Sequence, residues 1–95
     1  MLCVTISRPG EPEVLETINR DKPICGPDEL LIKVVAAGVN RPDIAQRKGH
    51  YPPPSWAPQD IPGLEVSGIV EEAGNQCNQF RKGDAVCALV SGGGY

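Results

Sequence analysis

The sequence predicts a mainly β fold, made of short strands with a single short helix. Three observations carry that prediction. Glycine at 11 and proline at 10 of 95 residues exceed a fifth of the chain, well above roughly 12% in an average protein. They are spread along the chain, so turns recur throughout. Between them lie short runs rich in β-branched residues, and only one segment, Asn40 to Gly49, carries helix start and stop signals. Ninety-five residues make one domain at most, with room for a modest core.

Taken in order, Leu2 to Ser7 reads as a strand, and Pro9-Gly10 turns the chain into a second, Val14 to Ile18. The two are expected to pair as a hairpin. A loop with Pro23 and Gly26-Pro27-Asp28 as breakers leads to Leu30 to Val39, rich in β-branched residues with one charge, which reads as a largely buried strand. The helix comes next. Asn40 is a good N-cap, Pro42 falls in the first turn, and Asp43 places negative charge at the positive end of the helix. Arg47 and Lys48 close the last turn, and Gly49 is the C-cap.

Tyr51 follows the helix, and prolines 52, 53, 54, 58 and 62 are expected to hold a surface loop extended, with Trp56 folded over the core edge. Leu64 to Ala73 reads as a strand with Gly63 and Gly68 at bend or close-approach positions, ended by Gly74-Asn75. Phe80 to Asp84 reads as a tight turn and Ala85 to Val90 as a further strand. The glycines from 92 to 94 should lead into another strand, so the barrel is expected to be unfinished and the chain to be the front part of something longer.

Composition narrows the function. The formal charge of −3, without a Lys/Arg run, argues against nucleic acid or an acidic membrane as partner. No apolar stretch is long enough to span a bilayer and no signal pattern opens the chain, so the expected location is cytoplasmic. Cys3, Cys25, Cys77 and Cys87 lack metal-binding spacing and are expected to be small buried hydrophobes.

Five pieces then occur in order: R-P-G-E-P-E-V-L-E at 8–16, G-P-D-E-L-L-I-K-V at 26–34, G-V-N-R-P-D at 38–43, G-L-E-V-S-G at 63–68 and K-G-D-A-V at 82–86. Together they resemble the N-terminal, GroES-like part of the medium-chain dehydrogenase/reductases, most closely the quinone oxidoreductase branch. The resemblance implies a GroES-like, partly open β-barrel with one short helix, incomplete at the C-terminus, spanning residues 1–95. The dinucleotide-binding Rossmann domain would lie outside this chain, since no G-x-G-x-x-G opens a helix here.

The zinc alcohol dehydrogenases of that superfamily take two catalytic zinc ligands from G-x-C-x-x-D and G-H-E-x-x-G segments. Here Asn40 stands for the cysteine and Leu64 for the histidine. A neutral amide and an alkyl chain do not replace thiolate and imidazole, so no zinc is expected. The resemblance implies hydride transfer from NADPH to a small-molecule quinone or activated enone, an enoyl thioester being the nearest alternative acceptor, in a homodimeric parent. It further implies that Asn40, Arg41, Asp43 and Tyr51 lie beside cofactor or acceptor, with Asn40 and Tyr51 in the chemistry. Glu65 is expected to be a partly buried carboxylate accepting backbone donors. The chain alone should be inactive. The rival reading is a free-standing GroES-like module that binds a partner or assembles into a ring.

Overall fold

The computed structural model describes residues 1–95. Five strands and one α-helix form two separate antiparallel sheets. Strand β1 (Leu2–Ile6) pairs with β2 (Leu15–Asn19) from Leu2↔Asn19 to Ile6↔Leu15, the expected hairpin. Its return begins later than the sequence suggested. Pro12–Val14 form one 3₁₀ turn, which buries the Val14 side chain before the strand starts. A Pro at the front of that turn has the φ the turn needs and gives up no hydrogen bond there.

The second sheet has the order β3-β4-β5, from Leu30–Ala37, Glu65–Ala73 and Ala85–Leu89. Strand β4 is central, and its alternate residues Val66, Gly68 and Val70 are buried. Gly68 is there because β3 passes so close that any side chain would strike the Lys33 carbonyl. Strand β3 is not the largely buried strand expected. Val34 and Val35 are exposed, as is Val39 just beyond it. β3 is an edge strand, and β-branched residues suit an edge as well as a centre.

The proline segment also departs from expectation. It folds back at 54–57, where Ala57 N–H donates to the Pro54 carbonyl (3.0 Å) and the Gln59 amide reaches the Pro54 and Ala57 carbonyls. Ala57, Ile61, Pro62 and Gly63 are then buried, whereas Trp56 is 77% exposed rather than folded over the core.

Residues 93–95 tie the 61–63 segment to the first strand. Gly93, Gly94 and Tyr95 donate to the carbonyls of Ile61, Gly63 and Pro62, and Tyr95 in turn accepts from Val4 N–H at 3.2 Å. Gly63 sits at φ +107, and a Cβ there would lie 2.7 Å from the Tyr95 ring, so bend and close approach coincide. An apolar groove of about 460 Å³, lined by Leu2, Cys3, Leu31, Ile32, Ile61 and Tyr95, remains open between the sheets. The architecture is a partial GroES-like barrel.

Candidate functional site

The helix α1 (Arg41–Arg47) begins where the sequence places it. Asn40 is extended at φ −130, ψ 157, and forms a capping box with Asp43, whose Oδ2 accepts the Asn40 backbone N–H at 2.9 Å. At the other end Gly49 takes φ +83, and Lys48, Gly49 and His50 N–H groups satisfy the carbonyls of Ile44, Gln46 and Ala45. Arg47 clamps the helix to the first turn, its Nε donating to Gly10 O while Gly10 N–H donates to Arg47 O, both at 3.0 Å.

Asp43 is 6% exposed. Its Oδ2 also accepts the Tyr95 hydroxyl at 2.6 Å, and that hydroxyl lies 3.3 Å from the Gly38 carbonyl. Burial, then the bond to Asp43, push the Tyr95 phenol up to about 12. Asp43 Oδ1 is buried without a partner, as is Gln46 Nε2 three residues along the helix.

Beside the cap, Asn40 Nδ2 donates to Glu65 Oε1 at 3.1 Å. Glu65 is exposed and accepts this side-chain donor, not the backbone donors expected of it. It opens β4, whose Glu65↔Leu89 pairing leaves its side chain at the sheet end beside the helix cap. Gly38 leaves the room: a Cβ there would overlap the Glu65 carboxylate. Leu64, at the second zinc-ligand position, precedes it, half-buried, its carbonyl taken by Val90 N–H at 2.8 Å.

The expected residues are therefore gathered only in part. Asn40 and Asp43 are joined through the cap. Arg41 is exposed and makes no side-chain hydrogen bond or ion pair. Tyr51, 47% exposed, lines a cavity of about 310 Å³ with Arg8, Gln46, Pro53 and Asp60, and Asn40, Arg41 and Asp43 are not among its lining residues. A larger open depression of about 760 Å³, between Lys22 and Arg81, holds none of them. Of the cysteines only Cys3 is buried; Cys25 and Cys77 are half-exposed and Cys87 is exposed. Sequence reasoning missed two partners, Tyr95 for Asp43 and Asn40 for Glu65. No local pattern marks either, because each joins segments far apart in the chain.

A two-sheet β domain with a capped helix at one sheet end, set beside G-V-N and G-L-E segments, has the architecture of a GroES-like domain. Residues 26–94 match the alcohol dehydrogenase GroES-like domain, and the chain belongs to that family. A quinone oxidoreductase of Lama guanicoe is 40% identical over 97 residues, covering 98% of this chain and 29% of its own length. The structure of Escherichia coli quinone oxidoreductase complexed with NADPH superposes with a TM-score of 0.80 at 30% identity, over 94% of this chain and 28% of that one. A cobalt- and zinc-bound thermostable alcohol dehydrogenase from Pyrobaculum aerophilum also gives 0.80, at 36% identity, over 92% and 25%. The chain thus spans under a third of the length of these proteins. The fold is common to metal-bound and quinone-reducing relatives, so the side chains at the site must decide between them.

Proposed function

We propose that this chain is the N-terminal catalytic domain of a zinc-independent, NADPH-dependent reductase of quinones or activated enones. The observation that carries the reading is the pair of residues at the two zinc-ligand positions: an amide, Asn40, already bonded to Glu65, and an alkyl chain, Leu64. Neither side chain offers a thiolate or imidazole, and no three His, Cys, Asp or Glu side chains converge anywhere in the fold. Alcohol oxidation needs a Lewis acid or base for the hydroxyl proton, whereas a quinone spreads the developing charge by conjugation.

Bound NADPH would supply the hydride, and a proton from solvent or a side chain would complete the hydroquinone. The residues here bind and orient. Asn40, its backbone fixed by the cap, presents an amide donor to the acceptor oxygen. Arg41 is a free cation beside it, suited to a phosphate or other anionic part of the cofactor. The Tyr51 hydroxyl is free to hold the cofactor or relay a proton. Asp43 is too buried to touch a ligand, and it acts by holding Asn40 in place.

The test uses the longer protein that carries this sequence. NADPH oxidation with a simple benzoquinone should persist after dialysis against a strong chelator, and metal analysis should find no stoichiometric zinc. Activity that disappears on chelation and returns with zinc would overturn the reading.

A further inference from the structure

We propose that Glu65 is a positioning residue for Asn40: its carboxylate takes one amide hydrogen and so aims the other at the hydride acceptor. This rests on the reductase reading above and adds a residue to it. The geometry that carries it is the 3.1 Å contact between Asn40 Nδ2 and Glu65 Oε1, with the vacancy at Gly38 that lets the carboxylate approach.

A primary amide is ambiguous by itself, because rotation about its last bond exchanges an acceptor for two donors. A carboxylate only accepts. Placed against the Asn40 amide it selects the orientation with nitrogen toward Glu65, since the opposite one would bring two electron-rich oxygens together. The second N–H, held in the plane of the amide, is then fixed in direction before any acceptor arrives. A donor aligned in advance need not reorganise as charge develops on the acceptor oxygen.

The capping box turns the Asn40 side-chain oxygen toward the Asp43 N–H, which favours the same orientation, and Glu65 has no competing partner. Glu65 makes no salt bridge, and its carboxylate accepts no other hydrogen bond. The pair is therefore tuned by two side chains and one missing Cβ. Gly38 has an ordinary backbone conformation, and an alanine there would meet the carboxylate end of Glu65 first. It would also overlap the Glu65 Cγ, so the whole side chain would have to swing away from Asn40.

The experiment measures kcat, and KM for NADPH and for 1,4-benzoquinone, on the longer protein and on its Glu65→Ala, Glu65→Gln, Gly38→Ala, Asn40→Ala and Asn40→Ala/Glu65→Ala variants. Glu65→Ala should lower kcat about tenfold with little change in KM for NADPH. The double variant should be no slower than Asn40→Ala alone, because a positioning residue has nothing left to position. Glu65→Gln, whose carbonyl still accepts from Nδ2, should recover most of kcat, and Gly38→Ala should behave like Glu65→Ala. Losses that multiply in the double variant, or a Glu65→Ala enzyme as fast as wild type, would overturn the inference while leaving the reductase reading intact. A wild type unable to oxidise NADPH with quinone would overturn both.

Discussion

Asp43 carries two donors on one oxygen and none on the other, in a setting that is nearly dry. Such a carboxylate depends strongly on the donors it has. Tyr95→Phe removes the 2.6 Å bond and leaves the rest of the ring in place, so it should cost about 1–3 kcal/mol in denaturant unfolding. Alkali tests the same contact. The folded phenol titrates near 12 and an unfolded one near 10, so the stability it lends is whole below about pH 10 and is lost as pH rises toward 12. In a Tyr51→Phe background, absorbance titration of the native protein should show phenolate forming only near that upper value. At this scale the sequence was legible wherever partners are neighbours. Asn40, Asp43 and Gly49 were placed by the local chemistry of a helix end, which needs only a few consecutive residues. Tyr95 gave no sign of its role, because its partner lies on another element and a phenol looks the same free or bound.

Strand β4 has a neighbour on each side, and its glycines distinguish space from conformation. Gly68 needs the absence of a side chain; Gly83, at φ +96 in the turn before β5, needs only its backbone freedom, with open space where a Cβ would point. Gly68→Ala must therefore force β3 and β4 apart and should cost more than about 3 kcal/mol, against about 1 for Gly83→Ala. Equal unfolding midpoints for the two would contradict the close-approach account. The turn at Lys82-Gly83 was readable from its residues, and Asp84 completes it by accepting from Arg81 N–H at 2.9 Å. The exposure of β3 was not readable. Alternation and β-branching tell which residues suit a strand, but whether a second strand covers its edge is decided by pairings outside the segment.

For the molecule as a whole, long-range ties matter more than any one element. Arg20, just past β2, grips Asp60 with its two terminal guanidinium nitrogens, joining the hairpin to the segment that Ile6 also meets through the Asp60 carbonyl at 2.8 Å. The Arg20 hydrogen bond holds the Asp60 carboxyl below its usual range. Its contribution is present above the ordinary carboxylate value of about 4 and is lost as pH falls through the lower folded one. Asp60→Asn should accordingly lower stability at neutral pH and converge on wild type in acid, as read by unfolding midpoints across that range. Motif order across the chain made the GroES-like class visible. The groove between the two sheets was not visible, since it is a property of how far they stand apart.

The meeting of Tyr95 with Val4 also has a bearing on time. A ribosome adds about 5–20 residues each second, so the first strand waits several seconds or more before the carbonyl that receives its amide has even been made. The hairpin can form early from neighbouring residues, but the tie between β1 and Tyr95 cannot form until Tyr95 has left the exit tunnel.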